Sequence, residues 1–250
     1  MRRVLAAAAG VAAALTVSAC GTETPAPAPR PAATSAAASS TAVYAPVIDP
    51  AAFRPTGDHP LFPLRPGLRW EYRSARPDGV ETTVVTVTGK TKTIMGVSCA
   101  EVRDTVTVDG ALKEDTLDWY AHQHDGTVWY FGEDTKEYED GKVSTTKGSW
   151  VAGVDGALPG IVMPAHPRVG DHYRQEFYPG EAEDMADVLA TAERATVPTG
   201  AYHGVLKTKD YTPLEPEVLE HKYYAPGVGP VLTVDVAGGG TRDELVQFSG

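Results

Sequence analysis

From Leu61 onward apolar and polar residues alternate in short runs rich in Val, Thr, Trp and Tyr. Val80 to Thr88, Cys99 to Val108, Leu112 to His122 and Thr127 to Glu133 are examples. Period-two alternation of this kind predicts strands whose side chains point to two faces in turn. Asp-Gly pairs punctuate the runs at Asp78-Gly79, Asp109-Gly110, Asp125-Gly126, Asp140-Gly141 and Asp155-Gly156. Each is a hairpin signal, because both central residues of a type I′ turn need positive φ, which Gly takes freely and Asp tolerates. Further strands are expected near Tyr173 to Tyr178, Arg194 to Val197, Gly204 to Lys209, Val218 to Tyr224, Val231 to Val236 and Glu244 to Phe248. Short connections make this an antiparallel meander. One segment reads differently. Glu181 to Thr191 opens with acidic residues, which suit the positive end of a helix dipole, and Met185, Val188 and Leu189 form an apolar stripe, so a helix is expected there.

Ahead of this region the pattern changes twice. Arg2 and Arg3 precede a small-residue apolar stretch from Val4 to Val17, and Val17-Ser18-Ala19-Cys20 follows at once. These are the three parts of an export signal, and the stretch is shorter than the ~20 residues a spanning helix needs. The last four residues resemble the bacterial lipobox, which implies cleavage before Cys20 and acylation of its thiol and new amino terminus. Two or three acyl chains anchor stably where one binds only marginally. From Gly21 to about Pro60 the chain is mostly Ala, Pro, Ser and Thr, too poor in large apolar residues to bury a core. The expected organisation is a signal peptide over 1–19, a lipidated Cys20 with a disordered stalk over 20–60, and one antiparallel β domain over 61–250.

Charge and cysteine content narrow the function classes. The chain has 22 basic and 33 acidic residues, a formal net charge of −11, and loss of Arg2 and Arg3 with the signal takes it to −13. That argues against nucleic acid and against adsorption to anionic lipid, so the acyl chains must do the anchoring. With Cys20 acylated, Cys99 has no partner for an intramolecular disulfide, and its apolar setting marks it as a small buried hydrophobe.

Pro63-Leu64-Arg65-Pro66-Gly67 leads into Trp70 and Tyr72. Val197-Pro198-Thr199-Gly200-Ala201-Tyr202 is followed by Tyr223-Tyr224-Ala225-Pro226-Gly227-Val228-Gly229. These phrases resemble the β-clam lipoproteins and periplasmic proteins related to the lipoprotein-localisation carrier. The segment around Trp119-Tyr120 and Trp129-Tyr130-Phe131 resembles lipoproteins of actinobacteria. The resemblance implies a mostly β fold, a curved antiparallel meander sheet (β-clam or half-barrel) with one or two short helices, half-closed about an apolar groove. Several members of that family bind acyl chains or lipoproteins.

No nucleophile elbow, phosphate loop, dinucleotide fingerprint, zincin helix or cysteine cluster is present. The most informative stretch is the hairpin about Asp125-Gly126. Pairing His124 with Thr127 sets His122 opposite Trp129, Tyr120 opposite Phe131 and Asp118 opposite Glu133, all on one face; Leu117, Trp119, Val128 and Tyr130 take the other. With both faces aromatic, the sheet should be covered on both sides. Opposed carboxylates repel, so Asp118 and Glu133 call for an arginine such as Arg174, a shared proton, a cation or a polar ligand. Calcium would need further oxygens, which Asp134 or Glu114 could supply. His122 with His124, or His166, His172 and His221 with Glu176 and Glu220, are the alternative metal sets. The leading reading is a lipid-anchored extracytoplasmic binding or carrier protein for an apolar or amphipathic ligand, with Asp118, Tyr120, His122, Trp129, Phe131 and Glu133 as ligand-binding residues. A metal-dependent or acid–base enzyme using Asp118, Glu133 and histidines competes with it, as does an envelope scaffold that binds protein. The sequence leaves cofactor and metal open and assigns no catalytic residue. The expected partners are the membrane, through the lipid anchor, and a small-molecule or lipid ligand, with the chain a monomer that does not bind nucleic acid.

Overall fold

The computed structural model describes residues 44–237 and 240–250. The expected signal segment, Cys20 and most of the expected stalk lie outside the described residues. The folded unit runs from Ala45 to Gly250 and so takes in residues 45–60, which composition alone places in the stalk. Local chemistry explains the difference. Asp49 caps a single 3-10 turn, η1 (Pro50–Ala52), by accepting the Ala51 N–H at 3.0 Å, and the chain then enters three two-residue strands. These are β1 (Phe53–Arg54), β2 (Asp58–His59) and β3 (Phe62–Pro63).

Five long strands follow: β4 (Arg69–Arg76), β5 (Gly79–Ile94), β6 (Val97–Val108), β7 (Ala111–Gln123) and β8 (Val128–Glu139). Short pieces come next: β9 (Lys142–Thr145), β10 (Trp150–Val151), β11 (Leu158–Met163), β12 (His172–Arg174) and β13 (Glu176–Phe177). The chain ends in β14 (Met185–Val197), β15 (Gly200–Thr212), β16 (Glu215–Ala225), β17 (Gly229–Asp235) and β18 (Arg242–Ser249). The main sheet runs β12-β14-β15-β16-β17-β18-β4-β5-β6-β7-β8-β11-β13. This antiparallel path of 13 strands turns through 322° and nearly closes on itself, so the fold is the mostly β meander that the alternation predicts, curved into the half-barrel that the resemblance implies. β18 beside β4 joins the two halves, with Phe248 opposite Trp70 and their rings 5.5 Å apart.

Two of the Asp-Gly signals form the expected two-residue turns. Asp109-Gly110 (φ 47° and 82°) closes Val108 on Ala111, and Asp140-Gly141 (φ 50° and 73°) closes Glu139 on Lys142. Met95-Gly96 makes an equivalent turn that no Asp-Gly signal marks. At Asp78-Gly79 the turn is Pro77-Asp78 instead, because Arg76 pairs with Gly79. The helix expected over Glu181 to Thr191 is absent. Met185 to Val197 is strand, paired along its length with β15, and the cross-strand ladder outweighs the helix preference of Met, Ala, Leu and Glu. Among the described residues the only helical element is η1, and no helix is long and apolar enough to cross a membrane.

Directly opposed residues on neighbouring strands share a face. The rows Val87–Val102–Asp118–Glu133 and Asp104–Thr116–Thr135 therefore line one side, as do Asp210–Glu220–Asp235 and Thr208–Lys222–Thr233. These residues are mostly buried and form the concave face. Outside β6–β8 lies a second core. There Cys99, Trp119, Ala121 and Phe131 are buried, with Phe53 edge-on to Phe131, Lys92 over the Trp119 ring and the Ala152 N–H donating to the Phe131 carbonyl. Covering on both faces was expected, and it is the β1 segment that supplies the outer cover. Burial pushes the Cys99 thiol up to about 12, in keeping with an inert core residue.

Candidate functional site

The β7–β8 hairpin carries the candidate residues, and its register departs from expectation twice. At the turn, the Gln123 N–H donates to the Thr127 carbonyl and His122 pairs with Val128, so the loop is longer than a two-residue turn. Further along, a bulge inserts one residue into β8 between the pairs Tyr120–Tyr130 and Asp118–Glu133. Gly132 sits in that bulge at φ 137°, and a Cβ there would lie 2.3 Å from the Trp150 carbonyl oxygen. The two departures offset each other. Asp118 opposes Glu133 as expected, but Tyr120 faces Tyr130 rather than Phe131, and His122 faces Val128 rather than Trp129.

The expected site therefore divides. Asp118, Tyr120, His122 and Glu133 lie on the concave face, where Tyr130 and Val128 join them. Trp129 and Phe131 turn to the outer face, with their rings edge-on to Phe53 at 6.2 and 5.6 Å. The bulge is the reason, since one inserted residue flips the faces of what lies beyond it.

Tyr120 and Tyr130 stack with centroids 4.6 Å apart, and Trp150 stands edge-on to Tyr130 at 5.3 Å. The Tyr130 hydroxyl donates to Asp118 Oδ1 at 2.5 Å and lies 3.0 Å from Glu133 Oε2. A phenol has one proton to give. With Asp118 accepting it, the Glu133 contact is a hydrogen bond only when Glu133 carries its own proton and donates it. The electrostatics agree. Asp118 is 4 % exposed and Glu133 5 %. Burial raises both carboxyls, Glu133 to about 7, with the Asp118 charge adding to the shift. Burial and these carboxylates hold both phenols well above their ordinary range, so they stay protonated donors. Next along the same face, the Thr116 and Thr135 hydroxyls bond to each other across the strands.

Asp118, Tyr120 and His122 run along β7 toward a cavity of about 500 Å³ at the end of that strand. His122, His59, Arg54, Asp58, Asp125 and His166 are among its lining residues. His122 is 2 % exposed and its Nε2 has no hydrogen-bond partner. Gly57 makes the fit possible, because a Cβ on it would lie 2.6 Å from His122 Cγ. Burial lowers the His122 pKa to about 4, helped by His59 and Arg54, so the ring is neutral at physiological pH. His59 is already committed. Its Nδ1 accepts the Leu61 N–H and its Nε2 donates to the Pro164 carbonyl, which fixes a neutral tautomer.

The metal sets do not assemble. Among the described residues no group of three or more His, Cys, Asp or Glu is arranged to hold an ion. His124 is exposed at the turn, and His172 pairs with Asp187 at 2.6 Å. Arg174 sits over Phe177 and 3.9 Å from Glu183.

Sequence reasoning missed a second polar cluster on the concave face. Lys222 reaches Asp210 at 3.1 Å and Glu220 at 3.6 Å, Thr208 donates to Asp210, and Gln175 Nε2 donates to Asp210 Oδ2 at 3.2 Å. Thr208, Asp210, Glu220, Lys222 and Tyr224 occur at period two, which is the signal that could have placed them on one face.

No protein-family model and no curated protein matches the chain. A crystal structure from Parabacteroides distasonis, of a protein provisionally assigned as a lipoprotein, matches 76 % of this chain and 98 % of its own at 14 % identity and a TM-score of 0.42. A likeness at that level identifies neither family nor ligand.

Proposed function

We propose that this chain is a lipid-anchored extracytoplasmic binding or carrier protein whose concave sheet face takes an amphipathic ligand. The observation that carries the reading is the makeup of that face. Stacked aromatic rings, Tyr120 on Tyr130, adjoin buried ionisable groups at Asp118 and Glu133, on a sheet curved through 322°. Concave surfaces that combine apolar area with a few convergent polar groups are the usual form of ligand sites. The anchor rests on the lipobox at Cys20. Titration of the full chain with N-phenyl-1-naphthylamine, a neutral amphipathic fluorophore, tests the ligand reading. A saturable rise in emission, lost in Tyr120→Ala and kept in Trp129→Ala, is expected. A linear, unsaturable response from the native chain would overturn it.

One observation favours a second reading, acid–base chemistry. Two buried carboxyls, Asp118 and Glu133, both raised by burial and bridged by the Tyr130 hydroxyl, are the kind of pair that general acid and base catalysis uses. Hydrolysis of a chromogenic glycoside or ester that disappears in Glu133→Gln would move this reading ahead.

A further inference from the structure

The cavity of about 500 Å³ at the end of β7 owes its form to the segment that precedes the long strands. β1 pairs with β7 so that Arg54 stands directly opposite His122, and both side chains leave the same face of that ladder. Both residues line the cavity. Most other polar groups of the lining are engaged. His59 commits one ring nitrogen to the Leu61 N–H and the other to the Pro164 carbonyl. Asp58 pairs with Arg65 at 3.2 Å, and Asp125 Oδ1 accepts the Thr127 N–H at 2.8 Å. Thr56 and His166 are exposed to water. Arg54 and His122 differ from these. Among the described residues no carboxylate pairs with Arg54, and His122 Nε2 is buried with no partner.

A guanidinium can only donate, and a neutral imidazole beside it can turn its N–H to the same acceptor. Burial, then His59 and Arg54, keep the His122 ring neutral. An ammonium ligand would meet the Arg54 charge, and a purely apolar one would leave Nε2 unsatisfied. One carboxylate offers an oxygen to each donor. A dianion fits less well, because Asp58 and Asp125 stand in the same lining and repel the second charge. Pro60 and Ala165 give the rest of the ligand an apolar wall, and the volume lies within the ~300–1,000 Å³ of small-molecule sites. We propose that this cavity binds a small organic monocarboxylate, with Arg54 and the His122 Nε2–H donating to its two oxygens. The site goes beyond the concave-face reading and needs nothing of the Tyr120–Tyr130 stack.

Titration of the full chain with benzoate, benzyl alcohol and inorganic phosphate tests the assignment, followed by calorimetry and by the ring-nitrogen resonances of labelled histidine. Saturable binding of benzoate is expected, with none of benzyl alcohol and weaker binding of phosphate. The His122 Nε2 resonance should shift along the benzoate titration. Arg54→Gln, a change at an exposed residue, should weaken benzoate about tenfold. The same variant should bind N-phenyl-1-naphthylamine as the native chain does. No saturable benzoate binding, or phosphate bound more tightly than benzoate, would overturn the proposal. So would benzoate binding that Arg54→Gln leaves unchanged, or that leaves the His122 resonance in place. Fluorophore binding without benzoate binding would overturn this site alone and spare the concave-face reading. Loss of the fluorophore in Arg54→Gln would overturn the separation of the two sites.

Discussion

The two faces of the β7–β8 hairpin are built from neighbouring residues of one short sequence, yet they do different work. Outside, Trp129 and Phe131 set their rings edge-on to Phe53, and Trp119, Ala121 and Cys99 are buried on the same face, with Lys92 over the Trp119 ring. Inside, Asp118, Tyr120, Tyr130 and Glu133 form a hydrogen-bonded ionisable group, with His122 beyond it. The outer face gains from burial of apolar area. The inner face buries carboxyls at a cost, which only a shared proton, hydrogen bonds or a bound partner can offset. On the proposed reading, stability belongs to the outer face and ligand chemistry to the inner one.

The largest effect should come from the outer layer. Phe131→Ala, at a fully buried ring, should cost ~3–5 kcal/mol in denaturant unfolding, and Trp119→Ala a similar amount. Trp129 is only half buried, so Trp129→Ala should cost clearly less. Equal losses for Trp119 and Trp129 would erase the distinction between covered and rim positions.

Gly132→Ala tests what separates the faces. Its positive φ and the nearby Trp150 carbonyl both oppose a Cβ, and a loss of ~1–3 kcal/mol is expected from the backbone alone. Wild-type stability in that variant would show that the bulge is not held by this glycine.

On the inner face the expected sign is opposite. Glu133 has a folded pKa of about 7, above its ordinary value of 4.5, so between those values the native state binds more protons than the unfolded one. Its contribution to stability is thus present at low pH and lost as pH rises toward 7. Glu133→Gln should remove that loss, raising the melting temperature at pH 8 relative to wild type and by less at pH 5. The full effect is on the order of 3 kcal/mol. His122 acts the other way. With its folded pKa lowered to about 4, it favours the native state above its ordinary pKa of 6.5, and that benefit declines as pH falls toward 4. His122→Gln should flatten the acid limb only. The smallest effect concerns Cys99, which should not react with an aromatic disulfide reagent in the native chain and should react once it is unfolded.

Much of the fold was legible because alternation and turn chemistry are local. Asp109-Gly110 and Asp140-Gly141 set their hairpins as read, and strand alternation gave the mostly β architecture. What was lost depends on distant contacts. Met185 to Val197 has helix-forming residues, and only its pairing with β15 decides for strand. Residues 45–60 look like stalk until Phe53 meets Trp129 and Phe131. At the site, the Asp118–Glu133 pairing was legible only because a longer turn and the Gly132 bulge offset each other. The same bulge hid the true partner of Tyr120. Gln175 and the Asp210 cluster meet across strands far apart in the chain, a coincidence that no local pattern contains.

The central claim is that the inner face holds a ligand while the outer aromatic layer only packs. Native mass spectra of the full chain isolated from its own envelope, compared with Tyr120→Leu and Phe131→Leu, test it most directly. The account predicts a bound small molecule on the wild-type chain that survives Phe131→Leu and is lost from folded Tyr120→Leu. A bare mass for every form, or an adduct that disappears with Phe131 and persists without Tyr120, would contradict it.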